Sequence, residues 1–375
     1  MLIAVCSIRS LYFYQLKINL FLNTNLTAVS NLDLHIINPS KVKNWNEIIL
    51  NFPDYSFFHS SNWAKLIERT YNYKSNYFVF KDGNNYDAIL PLMVVNSSLT
   101  GKRAVSLPFT DYCEPLISNQ PDFKKILNEV FNFCKNNNLK YYELRGGQQY
   151  LEETSPSTFD YNHTLKLCDD EDVLFKKFSS NTKRNIKKAK REDISVEISN
   201  SLSALNDFYE MNCITRKKHG LPPQPKKFFN NLYEFILKTD SGFISIAKHK
   251  GKSIAASVYL LIGDKAIYKF GASLMEYQNL RANNLVMWEA IKHCAAKGYK
   301  SFCFGRTEPD NEGLRRFKLG WGTEESVLNI YRYDFNRNDF ITIKTKTTGF
   351  HNKIFNKAPL PVLKALGSII YRHFG

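Results

Sequence analysis

The chain has 375 residues, 43% hydrophobic and 23% charged, which excludes a disordered protein and fits one or two domains with buried cores. Its net charge of +16 points to a polyanionic partner such as RNA, a nucleotide-linked substrate or an anionic membrane surface. The seven cysteines show no CxxC, CxxH or HExxH spacing, which favours reduced thiols in a cytoplasmic protein over structural zinc, and no run reaches the ~20 apolar residues of a spanning helix.

Residues 1–32 read as a poorly ordered leader. Met1 to Ile8 is apolar, but Gln15, Lys17 and Asn19 break the next apolar run, and Thr27-Ala28-Val29 is a poor cleavage site. Asn44 to Leu50 reads as a short helix. Ser61 or Asn62 then caps a helix with Trp63, Leu66, Ile67 and Tyr71 on one face. Tyr77 to Phe80 and Tyr86 to Val95 read as two strands joined by the turn 81–85. Arg103 to Leu107 is a third strand, ending at Pro108 to Pro115, where the prolines forbid a central ladder. Phe123, Ile126, Leu127, Val130, Phe131 and Cys134 mark an amphipathic helix. The strand Lys140 to Arg145 ends at Gly146-Gly147, and Asn162 to Leu167 closes this half.

The second half opens with an acidic cap, Asp169 to Asp172, and the basic segment Lys176 to Arg191, which has eight cations and no acid. A helix over 181–191, capped at Asn181 or Thr182, presents Lys183, Arg184 and Lys187 on a cationic face and turns Ile186 and Ala189 inward. Helices over Leu205 to Arg216 and Lys226 to Leu237 come next. A hairpin follows, from Phe243 to Lys248 and Ser253 to Ile262, then a strand from Lys265 to Phe270. Asn283 to Lys297 is a helix stopped by Gly298. The strand ending at Phe304 meets Gly305-Arg306, read as a turn that exposes one cation. Asp310 caps a helix carrying Arg315, Arg316 and Lys318, and Gly320-Trp321-Gly322 leads into the strand Ser326 to Tyr333.

The same element order thus occurs twice, without residue-level repetition. It predicts mixed α/β architecture in two tandem units, each a mostly antiparallel sheet flanked by helices. The units are residues 33–168 and 169–340, followed by a tail, 341–375. The tail reads as a basic amphipathic segment that either lies on an anionic membrane or packs against the second unit.

Three stretches carry a family resemblance: Leu107 to Pro115, LPFTDYCEP; Asn181 to Arg191, NTKRNIKKAKR; and Gly305-Arg306 with Phe317 to Gly322, FKLGWG. Together, over roughly Leu34 to Asp334, the chain resembles the Fem family of tandem GNAT-fold aminoacyl and peptidyl transferases, and more closely its shorter FemAB-like or BioF2-like relatives. The resemblance implies transfer of an aminoacyl group from aminoacyl-tRNA to an amine of a peptidoglycan precursor, in a channel between two GNAT-like domains. It places Lys318 near the reacting carbonyl and Asp111 in the acceptor turn. Arg306, Lys183, Arg184 and Lys187 would hold phosphates, with Tyr112, Trp63 and Phe317 at the substrate. Some Fem proteins carry a coiled-coil insertion, and no sustained heptad run occurs here.

The chemistry agrees with that assignment. Aminoacyl transfer passes through an oxyanion that a fixed cation such as Lys318 stabilises. Arg306 suits a bidentate phosphate clamp or an ion pair with Glu308 or Asp310. Asp111 reads either as a general base or as a turn residue bonded to its own backbone. Cys113 has no histidine partner at recognisable spacing. No glycine lies between Glu276 and Lys297, where a CoA pyrophosphate would need a close backbone approach, so aminoacyl-tRNA is the expected donor and acyl-CoA the alternative. No metal or cofactor is expected. A further alternative is a non-catalytic RNA- or membrane-binding protein. The expected location is the cytoplasm, with peripheral contact at the inner face of the membrane.

Overall fold

The structure, a computed structural model, describes residues 33–118, 122–343 and 355–375. The expected leader, 1–32, lies outside the described residues. In the first half, β1 (Asp33–Ile37) precedes α1 (Trp45–Ile49) and α2 (Ser61–Tyr71). Six strands follow: β2 (Lys74–Ser75), β3 (Tyr77–Asp82), β4 (Asn85–Leu90), β5 (Met93–Ser97), β6 (Gly101–Val105) and β7 (Leu116–Ile117). Then come α3 (Phe123–Asn136), β8 (Tyr141–Arg145) and β9 (Thr158–Lys166). The second half contains α4 (Glu171–Lys177), α5 (Ser180–Arg191), β10 (Ile194–Ser199), α6 (Leu202–Lys218), α7 (Lys226–Leu232), β11 (Gly242–His249), β12 (Lys252–Ile262) and β13 (Lys265–Ser273). It ends with α8 (Ala282–Ala296), β14 (Ser301–Thr307), α9 (Glu312–Leu319), β15 (Glu324–Asp334), β16 (Asp339–Phe340) and α10 (Leu360–Ile370).

Local chemistry explains where the elements begin and end. The caps of α2 and α5 sit one to three residues upstream of the expected positions, and that of α9 one residue downstream. Ser60 accepts from the Trp63 amide before α2, and Ser179 from the Thr182 amide before α5. Asn311, not Asp310, accepts from the Leu314 amide before α9. The strand expected over Tyr86 to Val95 divides at Pro91-Leu92, since proline has no N–H for a ladder. Its two parts join different sheets. Strands β1 and β10 are additions to the expected elements, although Ile194–Ser199 alternates apolar residues with Ser and Glu as a half-buried strand does.

Four strands, in the order β1-β3-β4-β7, form a small sheet. The larger sheet runs β10-β11-β12-β13-β14-β9-β15-β8-β6-β5-β2, with β16 on β15. Its pairs are antiparallel except β13 with β14 and β6 with β8, each joined through a helix. The last long strand of each half is exchanged: β9 pairs with β14, β15 pairs with β8, and the two pair with each other. The halves divided at 168 in the sequence therefore share one sheet, with β9 among the strands of the second half.

Both faces of the second-half strands are covered, so β12 is almost continuously apolar. Ile244, Ile246, Val258 and Leu260 pack with Trp63, Leu66 and Ile67 of α2 and Phe228 of α7. Phe243, Tyr259 and Leu261 point the other way, into a core with Trp288 and Ile291 of α8 and Ile186 of α5.

Among the described residues no helix is long and apolar enough to cross a membrane. Helix α10 packs against the body through Leu363 and Gly367, leaving Val362, Ile369 and Phe374 exposed. Tyr73 donates to the Arg372 carbonyl at 2.9 Å, and Arg103 to that of His373 at 2.9 Å. A Cβ on Gly367 would stand 2.0 Å from the Pro223 carbonyl oxygen. Gly367→Ala is therefore expected to weaken the docking of this helix by about 1–3 kcal/mol. Amide exchange over 360–370 should accelerate about tenfold or more, with β11 to β13 unchanged; unaltered exchange in the helix would show that the contact is not limiting.

Candidate active site

The site forms where β13 and β14 part. Their parallel pairing covers only Lys265–Ile267 against Ser301–Cys303. Beyond it, the register of β14 against β9 slips between Cys303 and Arg306, and Gly305 takes φ +71°. The turn expected at Gly305-Arg306 is thus a bulge inside a strand that continues to Thr307. Such a bulge removes carbonyls from the ladder, and glycine provides the left-handed backbone it needs. Lys318 Nζ donates to two carbonyls at this bulge, Gly305 O at 2.7 Å and Arg306 O at 2.8 Å. Lys318 is 2% exposed, so it is not a solvated helix lysine. Burial lowers its pKa to about 8 against the opposing pull of Asp111. Two of its three N–H groups are engaged, which leaves one donor.

Asp111 fills the notch between the parted strands. Its Oδ2 accepts from Lys269 Nζ at 2.7 Å, and its Oδ1 would lie 3.3 Å from a Cβ on Gly305. Lys269 also donates to Phe109 O at 2.9 Å and lies 5.0 Å and 5.6 Å from the ring centroids of Phe58 and Trp63. Burial pushes the Asp111 pKa up, but Lys269, with Arg306 and Lys318 nearby, outweighs it and holds the carboxylate below its ordinary value. A carboxylate held in this way is a weak proton acceptor. Lys269 was not singled out from sequence; its signal was a lysine inside the apolar strand segment KAIYKF.

Arg306 pairs with Asp160 of β9 at 2.9 Å rather than with Glu308 or Asp310. Arg315 forks onto Glu325 at 2.7 and 2.6 Å and stacks over Tyr161, so it braces α9 against the sheet. Tyr112 is a wall residue, edge-on to Phe58. Trp63, expected at the substrate, is fully buried in the core. Phe317 packs on Trp321.

Lys183, Arg184 and Lys187 of α5 line an open groove of about 610 Å³ with Ser180, Lys188, Arg191 and Glu192. Arg184 bonds Asn181 within the helix at 2.8 Å, and Lys183 reaches Lys176 O at 2.9 Å. Among the described residues no carboxylate forms a salt bridge to these cations. The groove adjoins the notch through the backbone, since the Ser179 amide donates to Gly320 O at 2.9 Å at the end of α9.

Cys113 does have a histidine neighbour: His59 Nε2 lies 3.6 Å from its sulfur. Yet His59 Nδ1 accepts from the Ser56 amide at 3.0 Å, so Nε2 carries the proton and donates to Glu114 O at 2.9 Å. Burial lowers the His59 pKa to about 4 and raises the Cys113 thiol. The pair is neutral and structural, not a nucleophile with its base.

Removing one partner of a buried pair leaves the other charge uncompensated. Lys269→Met is therefore expected to lower stability by about 3–5 kcal/mol, with much of it recovered in Lys269→Met/Asp111→Leu. Denaturant midpoints of the two single variants and the double variant test this; additive losses would mean the pair is not coupled.

Residues 176–319 match the family described as "Acetyltransferase (GNAT) domain". The lipid II:glycine glycyltransferase of Staphylococcus epidermidis is 26% identical over 136 residues, 32% of this chain and 33% of that protein. The chain thus spans about a third of the length of the curated relatives it matches. The crystal structure of FemX superposes with a TM-score of 0.65 at 14% identity, over 81% of this chain and 98% of FemX. A tandem GNAT protein from the clavulanic acid biosynthesis pathway superposes with a TM-score of 0.52 at 8% identity, over 81% of this chain and 98% of that one. The chain thus shares the fold of FemX, carries a GNAT-domain match over residues 176–319 and is similar over about a third of its length to a lipid II:glycine glycyltransferase.

Proposed function

We propose that the chain is an aminoacyltransferase that moves an aminoacyl group from aminoacyl-tRNA to an amine of a phosphate-bearing peptidoglycan precursor. The observation that carries this reading is the buried ammonium of Lys318, fixed by two carbonyls beside the Asp111 notch. The similarity to a glycyltransferase that acts on lipid II supports the acceptor class.

In the proposed reaction the neutral acceptor amine attacks the ester carbonyl of the donor. The new N–C bond forms, and the third N–H of Lys318 stabilises the oxyanion. Collapse breaks the C–O bond to the ribose, and the proton of the attacking amine passes to the departing oxygen. Asp111 acts through charge: it balances Lys269 and limits the positive potential around Lys318. Donor phosphates lie along Lys183, Arg184 and Lys187 of α5. Arg306, only partly engaged by Asp160, serves the phosphate of the precursor. The exposed Val362, Ile369 and Phe374 suit contact with the membrane that bears a lipid-linked acceptor.

Lys318→Met should lower kcat/KM by about 10²–10³-fold in a transfer assay with aminoacyl-tRNA. The ammonium is the active form, so wild-type kcat/KM should fall as pH rises through about 8, and this limb should vanish in the variant. Unchanged turnover in Lys318→Met would remove the lysine from the chemistry, and turnover on acyl-CoA alone would overturn the donor assignment. Lys187→Ala should weaken tRNA binding and reduce the slope of log affinity against log salt by about one. An unchanged slope would move the phosphate site off α5.

A further inference from the structure

A second cavity is walled in part by Tyr112. It has a volume of about 170 Å³ and is lined by Asp54, Tyr55, Tyr112, Glu114, Gln148, Asn162 and Lys265, with Ser326, Val327 and Leu328 of β15. Engineered cavities of ~150 Å³ hold a benzene molecule, so this space suits an amino-acid-sized group.

Its charge is unbalanced. The single ammonium in the wall, Lys265, donates to Pro53 O at 2.8 Å and Tyr55 O at 3.0 Å and sits over the Tyr55 ring. Among the described residues it forms no salt bridge to Asp54 or Glu114. Among the described residues Glu114 has one fixed hydrogen bond, its Oε2 accepting from the Gly147 amide at 2.6 Å. The backbone is shaped around this carboxylate: Gly146 takes φ +114°, and a Cβ there would lie 2.4 Å from Glu114 Cδ. The glycine pair that ends β8 is thus what admits the acid. Burial, with Asp54 adding to it, raises the Glu114 pKa to about 7 despite the Gly147 amide, so the folded chain leaves this acid without a full counter-charge.

The cavity also borders the reacting centre. Tyr112 follows Asp111 in the chain. Asn162 stands opposite Arg306 on one side and Ser326 on the other, and its Oδ1 accepts from Cys303 Sγ at 3.2 Å.

We propose that the Glu114 cavity binds a primary ammonium carried on an amino-acid-sized group and so positions one reactant beside the Asp111–Lys318 notch. The identity of that reactant rests on the aminoacyl-transfer reading. It is either the α-ammonium of the transferred residue or a side-chain amine of the acceptor. Both present the same chemistry to Glu114: a cation with three donors facing one free carboxylate oxygen, with Asp54, Asn162 and Gln148 also in the cavity wall.

The test is direct binding to the full chain by NMR or calorimetry, with no donor or acceptor turning over. The probes are glycinamide, for an α-ammonium; Nα-acetyl-lysinamide, for a side-chain ammonium; and acetamide, which has no charge. At least one ammonium probe should bind about tenfold or more tightly than acetamide and lose about tenfold in Glu114→Gln. Preference for glycinamide assigns the cavity to the donor residue, and preference for the lysine amide assigns it to the acceptor. Equal binding of acetamide by the wild type, or full retention of affinity in a folded Glu114→Gln, would overturn the proposal. The wild-type comparison stands even if the variant does not fold. Ammonium binding without any aminoacyl transfer would sink the transfer reading while leaving the cavity assigned.

Discussion

The exchange of β9 and β15 is the constraint on which the rest of the molecule depends. Each half ends its strand–helix–strand crossover by sending its next long strand across the boundary. The two visiting strands meet in seven paired positions, from Glu324↔Thr164 to Ile330↔Thr158. Neither half can complete its sheet alone, so hinge motion between them would break backbone hydrogen bonds rather than slide side chains. Polar groups follow the same seam. Asp160 of β9 reaches Arg306, and Arg332 of β15 reaches Glu143 of β8 at 2.6 Å. Arg145 and Arg332 together hold the buried Glu143 carboxylate down at about 2, a charge that is stable only with both partners in place. A cleft built on such a seam has fixed walls, as electrostatic catalysis requires.

The charge balance within the cleft is telling. Lys269, Lys318 and Arg306 face Asp111 and Asp160, three cations against two carboxylates, which leaves one positive charge without a substrate. An arrangement of this kind attracts an anion but tolerates its absence, because each buried charge already has a hydrogen-bonded partner. Lys318 is the exception in kind: its partners are neutral carbonyls, so it remains the charge with most to gain from an oxyanion. The helix lysine and the strand bulge are thus one device, since Lys318 bonds the two carbonyls at the bulge itself.

Much of this architecture was legible in the sequence. Apolar periodicity marks α2 and α3, a long apolar run stopped by Gly298 marks α8, and Gly83 and Gly251 sit in left-handed turns between apolar runs. The FKLGWG stretch pointed to Lys318. The strand exchange was not legible, because pairing partners far apart in sequence leave no local pattern; β9 looked like the end of the first half until its neighbours were known. Lys269 was hidden for a related reason. A lysine in an apolar strand reads as a surface position unless the acid that neutralises it, 158 residues away, is known to stand opposite. The bulge at Gly305 resembled a turn because glycine signals positive φ in both settings, and only the register of β9 separates them.

The glycines of GWG then take on a second meaning beyond ending a helix. A Cβ on Gly320 would lie 2.8 Å from Thr182 Oγ1, and one on Gly322 2.8 Å from the Lys177 carbonyl oxygen. Both contacts are with the start of the cationic segment, and Trp321 between them is buried against Phe178 at 5.0 Å. The C-terminal end of α9 is therefore clamped to the N-terminal end of α5 with no space for adjustment. Under the proposed function, a polyanion on α5 would be positioned relative to Lys318 by backbone contact rather than by flexible side chains. The same clamp explains why a short helix of eight residues holds its lysine in place: α9 is fixed at its end by α5, at its middle by the Arg315–Glu325 fork, and at Lys318 by the bulge. Three independent restraints on a two-turn helix are what a buried cation needs if its geometry is to be set in advance, as the proposed oxyanion role requires.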